Sequence, residues 1–227
     1  MAANKDNASI VIDNTTAINT KREFHNEESS TYWLPKGDEE QMRLTGSPYG
    51  GNVLPSVTKV LDFEKGITVL DLECGYGVWI MDMVQDYPNC TYHGCAIVDA
   101  IHKNMNVNQL TFTLGNVVKG LPYEDNTFDF VRMRFFVLAL REEEWPAAIS
   151  KIIRVTKPGG MIQMSEIEFE LPEDSSNLFY KVEVAIRDTC AARGQNAYIG
   201  AELNNMLVKH NNIEVVQPAD RICDMSK

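Results

Sequence analysis

From about residue 53 onward, short apolar runs alternate with stretches in which apolar residues recur every three or four positions. Thr68 to Leu72, Thr91 to Ile97, Leu110 to Leu114, Phe128 to Met133, Met161 to Ile167 and Ile213 to Val216 read as strands, being short, apolar and bounded by turn residues. Leu54 to Phe63, Val78 to Tyr87, Glu142 to Val155, Leu178 to Arg193 and Ala201 to His210 read as helices. In the third of these, Trp145, Ile149, Ile152 and Ile153 share a face. Acids lead its first turn, and Lys151 and Arg154 lie near its end, as the helix dipole favours. Pro88 stops one helix, Gly194 another, and Lys157-Pro158-Gly159-Gly160 reads as a turn. The alternation predicts an α/β fold: an open, doubly wound, mostly parallel sheet wrapped by helices. Such sheets bind ligands at the carboxyl ends of their strands, so the loops after strands 1 to 4 are where chemistry is expected.

Ahead of this core the pattern is different. Residues 1–28 are polar, interrupted only by Ile10-Val11-Ile12, and predict a flexible N-terminal arm. Residues 29–227 then predict a single domain, with 31–52 as an N-terminal cap segment and 53–217 as the core. In the cap, Tyr32-Trp33-Leu34-Pro35 leads into a short helix that Asp38 is placed to cap, and Gly46 to Gly51 is a loop with strong breakers.

Composition narrows the class. The 227 residues are 44% hydrophobic and 23% charged, values of a globular protein with length enough for a substantial core. No run of about 18 apolar residues is present, which predicts no membrane span. The N-terminus lacks a basic-then-apolar pattern, so a cytoplasmic or nuclear location is expected. A net charge of −11 argues against a large nucleic-acid footprint. The five cysteines (Cys74, Cys90, Cys95, Cys190 and Cys223) show neither a CxxC pair nor zinc-ligand spacing, so reduced thiols and no metal are expected.

The candidate chemistry begins at Val69-Leu70-Asp71-Leu72-Glu73-Cys74-Gly75-Tyr76-Gly77, followed by the helical Val78 to Val84. Strand, glycine turn and helix together set backbone N–H groups beside a nucleotide-like ligand. A dinucleotide-binding G-x-G-x-x-G is weakened because Ile80 stands where a small residue should permit close packing, and no Gly-Lys-Ser/Thr of a P-loop exists.

Asp71-x-Glu73-x-Gly75-x-Gly77 resembles motif I of class I S-adenosylmethionine-dependent methyltransferases, D-x-G-x-G-x-G. Three further blocks fall in the family's order. Gly120-Leu121-Pro122-Tyr123-Glu124-Asp125-Asn126-Thr127-Phe128-Asp129-Phe130-Val131 resembles the segment entering strand 4. Arg154-Val155-Thr156-Lys157-Pro158-Gly159-Gly160 resembles the turn before strand 5. Tyr32-Trp33-Leu34-Pro35 with Glu40, Arg43, Leu44, Gly51 and Asn52 resembles the opening of fungal methyltransferases related to regulators of secondary metabolism. The resemblance spans roughly residues 31 to 217 and implies a Rossmann-like methyltransferase fold with S-adenosylmethionine as cofactor.

By that resemblance, Gly75 and Gly77 let the backbone approach the cofactor, and Asp71 either braces the loop or meets the cofactor's ammonium. Asn116 matches the polar residue that reads adenine, Val117 could pack on its ring, and Arg134 and Phe135 face the site mouth. Tyr32 and Arg43 could close the cofactor side. Methyl transfer needs orientation more than a strong base. If a base is needed, Glu166 and Glu168 are the first candidates, with His102 and Tyr180 behind them. The acceptor, a small molecule or a protein, is unreadable.

Two positions depart from the family pattern. Glu73 replaces the first glycine of motif I, where a side chain resists a left-handed backbone. Ala96 stands where relatives carry the acid that holds the ribose hydroxyls, and Asp99 could substitute only if the strand were longer or bulged. The family also closes its sheet with a last antiparallel strand. Here only eleven residues, 217–227, follow Val216, with Pro218 among them, so that strand is expected to be missing and the exposed edge left open to homodimerisation. An active methyltransferase and a catalytically degenerate relative acting through protein interaction therefore both stand; a nicotinamide-dependent oxidoreductase is the weakest reading.

Overall fold

A computed structural model describes residues 52–98, 107–169 and 171–218. The described residues form one sheet of five strands: β1 (Thr68–Leu72), β2 (Thr91–Ala96), β3 (Leu110–Leu114), β4 (Phe128–Arg134) and β5 (Thr156–Ser165). Their order is β3-β2-β1-β4-β5, and every pairing is parallel. Five α-helices accompany it among the described residues: α1 (Pro55–Val60), α2 (Val78–Asp86), α3 (Trp145–Val155), α4 (Leu178–Ala192) and α5 (Ile199–Leu207). The chain steps outward from β1 through β2 to β3, then returns to the far side of β1 at β4. The crevice between the carboxyl ends of β1 and β4 is therefore the topological switch point.

The inner strands β1 and β4 are buried on both faces, which is why they read as nearly continuous apolar runs. One face sets Leu70, Leu72, Val131 and Met133 against Trp145, Ala148 and Ile152 of α3. The other sets Val69 and Phe130 against Val57, Phe63, and Ile80 and Met83 of α2. Asp71 and Arg132 are register partners in β1 and β4 and alternate onto this second face.

The sequence elements that resemble the family hold one another. Arg154, at the end of α3, donates to the Tyr123 and Leu121 carbonyls at 2.8 and 3.1 Å and to the Asp125 carboxylate at 2.7 Å. Lys157 reaches both carboxylate oxygens of Asp129 at 2.9 Å, and Asp129 also accepts from the Thr68 amide at the start of β1. These contacts fasten β1, β4 and β5 at their amino ends, opposite the crevice.

Three expectations change. Ile213 to Val216 forms no strand: Val216 is 54% exposed, and the Gln217 side chain accepts from the Ser56 amide at the start of α1. Its alternation of apolar and polar residues meets no strand to pair with, so pattern alone cannot make it one. Lys157 to Gly160 belongs to β5 as an irregular entry with a register shift opposite Phe128 and Phe130. Gly160 is needed there because a Cβ would lie 2.8 Å from the Asp129 carbonyl. The helix expected from Glu142 begins as a 3-10 turn, Glu142–Glu144, and becomes α-helical only at Trp145, where Pro146 occupies the first turn. Cys74, Cys90, Cys95 and Cys190 are free and buried. The arm (1–28), the cap up to residue 51, and Cys223 lie outside the described residues.

Candidate functional site

Two residues with side chains adopt left-handed backbone at the switch point, one on each side of it. Glu73 (φ 51) follows β1, and Phe135 (φ 63) follows β4. Side-chain-bearing residues in this region are strained, and such strain gathers where a site needs it. Gly75 (φ 54) and Gly77 (φ 75) complete the turn after Glu73. Gly77 is the residue before α2 and supplies no side-chain cap, so the amide N–H groups of the first turn, which have no partner within the helix, stand at the carboxyl end of β1.

Beneath this loop lies a buried ion pair. Arg132 Nη1 donates to Asp71 Oδ1 at 2.7 Å, and the two residues are 7% and 1% exposed. The Arg132 guanidinium stacks 4.4 Å over the Trp79 ring, whose Nε1 donates to the Asn52 carbonyl at 3.0 Å. Burial pushes the Asp71 carboxyl up and the Arg132 charge pulls it back. Asp71 thus ties β1 to β4 under the turn. Arg134, half-buried two residues on, covers the Phe135 ring at 4.4 Å. Burial and the neighbouring Arg132 bring its pKa down to about 10, which leaves it a cation at neutral pH.

Glu73 is bound both to the end of β2 and to the residue after it. Its N–H donates to the Cys95 carbonyl at 2.6 Å, and its Oε1 accepts from the Ile97 N–H at 3.2 Å. Ala96, between those two residues, is 2% exposed. Glu73 is itself exposed, yet enough protein surrounds its carboxylate to push the pKa up to about 7. Burial is the main cause, the Ile97 amide opposes it and the Asp71 charge adds to it. Water reaching the group screens part of that push.

The other residues singled out from sequence sit as follows. Asn116 spends its side-chain oxygen on the Val118 and Lys119 amides at 2.8 and 3.2 Å, closing its own turn after β3. Val117 is 5% exposed and packs in the main core. Glu166, just past β5, accepts from the Phe136 and Val137 amides, both at 2.9 Å, and so holds the loop after β4. Burial raises its pKa to about 8 against those two hydrogen bonds. With both oxygens engaged, Glu166 positions the site rim. Glu168 is exposed and Tyr180 half-buried on α4. Tyr32, Arg43, Asp99 and His102 lie outside the described residues.

Sequence reading passed over Arg132 and Trp79. The available signal was a lone cation inside the apolar run Phe128-Asp129-Phe130-Val131-Arg132-Met133, which a buried strand tolerates only opposite an acid.

Residues 69–160 match a family model described as a methyltransferase domain. The chain is 29% identical over 160 residues to a secondary metabolism regulator of Coprinopsis cinerea, covering 66% of this chain and 39% of that protein. It is 31% identical over 113 residues to a demethylmenaquinone methyltransferase of Bacillus pumilus, covering 46% of this chain and 47% of that protein. The chain thus spans less than half the length of these two curated relatives. A solved methyltransferase from Aquifex aeolicus, described as SAM dependent, aligns at 16% identity and a TM-score of 0.44, over 70% of this chain and 89% of that one.

Proposed function

We propose that this chain is a class I S-adenosylmethionine-dependent methyltransferase, a reading supported by the methyltransferase-domain match over residues 69–160, that it binds S-adenosylmethionine in the crevice between β1 and β4, and that it passes the methyl group to an acceptor entering over the loop after β4. The observation that carries this reading is the pair of left-handed residues, Glu73 and Phe135, flanking the switch point beside an uncapped helix amino end. Strain on both rims of one crevice is hard to account for by folding alone.

The chain's own groups divide the work by position. Free N–H groups at the start of α2 suit the cofactor's carboxylate. The Gly75–Gly77 turn keeps the backbone low enough for close approach. Arg132, Asp71 and Trp79 fix that turn against β4, so the sulfonium would be held at a set distance from the rim. Glu166 fixes the rim by holding the Phe136 and Val137 amides. Methyl transfer is an in-line displacement in which the acceptor forms a bond to the methyl carbon as the carbon–sulfur bond breaks. S-adenosylmethionine bound there would supply the methyl group, its sulfur keeping the electron pair of the broken bond, and the chain's residues would contribute proximity and alignment.

The second reading is a catalytically degenerate relative that acts through protein contacts, and buried Ala96 is the observation that favours it. Titration calorimetry with S-adenosylmethionine and S-adenosylhomocysteine separates the two. Dissociation constants near or below about 50 µM, roughly −6 kcal/mol, are expected for a cofactor site. Absence of heat and of thermal protection at millimolar ligand would establish the degenerate reading instead.

A further inference from the structure

We infer that Glu73 is the ribose-binding acid of this protein, delivered to the end of β2 from the turn after β1. The inference rests on the cofactor reading above and assigns one part of that ligand, a vicinal diol, to one side chain.

In nucleotide-binding sheets of this kind an acid at the end of the second strand accepts from ribose hydroxyls. Here β2 ends in Ala96, which offers no acceptor. The Glu73 carboxylate occupies that neighbourhood all the same, because Oε1 sits 3.2 Å from the amide of Ile97, the first residue beyond β2. The backbone geometry enforces the placement. The Glu73 N–H is fixed on the Cys95 carbonyl at 2.6 Å, and the left-handed φ of 51 turns the side chain across Ala96. A methyl side chain at position 96 leaves space for a carboxylate arriving from outside the strand, whereas an aspartate there would bring two acids together. The two departures from the family pattern, Glu73 and Ala96, therefore read as one exchange of position.

The carboxylate is also equipped for a diol. Ile97 takes one lone pair of Oε1, and Oε2 has no hydrogen-bond partner among the described residues. An ionised carboxylate accepts at both oxygens, which matches two adjacent hydroxyl donors. With the pKa pushed up to about 7, the accepting form is lost as pH falls through neutrality, so diol binding weakens on the acid side.

The test is calorimetric titration of the full chain, unaltered and as Glu73→Gln and Glu73→Gly, with S-adenosylmethionine, S-adenosylhomocysteine and 2′-deoxy-S-adenosylhomocysteine at pH 6 and pH 8. The unaltered protein is expected to prefer the 2′-hydroxyl ligand by about tenfold to a hundredfold, the worth of a charge-assisted hydrogen bond. Glu73→Gln should lose that preference, weaken both natural ligands equally, and lose the rise in affinity between pH 6 and pH 8. Thermal melts of each variant confirm folding, and Glu73→Gly, which relieves the left-handed strain, serves where the glutamine variant melts early. Tighter or unchanged binding by Glu73→Gly would overturn the inference while keeping the cofactor reading, since Glu73 would then be an obstruction or a bystander. A loss confined to S-adenosylmethionine would also overturn it, placing the carboxylate at the sulfonium. If neither the unaltered protein nor either variant binds any of the ligands, the cofactor reading itself fails and the inference with it.

Discussion

Asp71 and Arg132 make the most exposed wager on how this site is built. Removing either charge strands the other where water cannot reach it. At an effective dielectric near 20, unit charges about 4 Å apart attract by ~4 kcal/mol, and breaking a buried pair by deleting one partner costs ~3–5 kcal/mol. Arg132→Met should fall in that range because it also ends the stacking on Trp79, 4.4 Å away. Asp71→Asn retains an oxygen that can accept, which puts it nearer ~3 kcal/mol. The double variant removes both charges together and should lie within ~2 kcal/mol of the parent, since buried pairs roughly break even against neutral replacements. Urea unfolding followed by circular dichroism measures all four proteins, and a chain of this size should lose ~2–4 °C of Tm for each kcal/mol. The reasoning fails if the single losses simply add, within ~0.5 kcal/mol, in the double variant. It fails equally if Arg132→Met costs less than ~1 kcal/mol, for then Asp71 is not held by Arg132 and is free to serve a ligand.

Further outcomes follow from neighbouring contacts. Glu166→Gln turns one acceptor into a donor facing an amide, so a loss of ~1–3 kcal/mol is expected in the same unfolding assay at pH 6. The sign with pH is set by the raised Glu166 pKa, about 8 in the folded chain against an ordinary 4.5. The unfolded chain binds fewer protons in that window, so stability is greatest below it and falls as pH rises through 8, and Glu166→Gln should flatten that slope. Gly160→Ala drives a Cβ to 2.8 Å from the Asp129 carbonyl and 2.9 Å from the Lys157 carbonyl, for an expected loss of ~1–3 kcal/mol by thermal melt. The outer edge of β5 has no partner strand among the described residues, and a second copy pairing there would give a dimer in light scattering. A monomer at high protein concentration would exclude it.

Strand periods and turn residues were enough to set β1 to β4 within a residue of their observed ends, because β1, β2 and β4 are largely buried on both faces and β3, at the edge, keeps a clean alternation between turn residues. The amino-end fasteners explain why the family blocks were so readable. Arg154 with Asp125, and Lys157 with Asp129, are specific contacts that demand specific residues. They secure the fold, however, and lie at the opposite end of the sheet from the crevice. The site was less legible for the same physical reason in three places. Asn116, Val117 and Glu166 have the residue types of ligand contacts, but the folded chain decides which partner each takes: Asn116 bonds the Val118 and Lys119 amides of its own turn, Val117 packs in the core, and Glu166 holds the distant Phe136 and Val137 amides. Ile213 to Val216 had the pattern of a strand without a strand to meet. Glu73 is the converse case: its place in motif I predicts a left-handed backbone that a side chain resists, the φ of 51 bears this out, and bonds to Cys95 and Ile97 hold the residue there.

That accommodation can be weighed. A left-handed residue with a side chain costs roughly 1–2 kcal/mol, which Glu73→Gly would recover. Glycine gives back roughly 0.5–1 kcal/mol through greater freedom of the unfolded chain, and loss of the Ile97 hydrogen bond costs about 0.5–1.5 kcal/mol more. These nearly cancel, so Glu73→Gly should unfold within ~1 kcal/mol of the parent. The same substitution should weaken ligand binding by at least about tenfold if Glu73 holds the ribose. A residue neutral for the fold and costly for the ligand is one kept for the ligand. The opposite result, a stability loss above ~2 kcal/mol with affinity unchanged, would make Glu73 a structural tie between β1 and β2. Ala96 would then be a true loss of the ribose contact, and the cofactor would be held without an acid on its ribose.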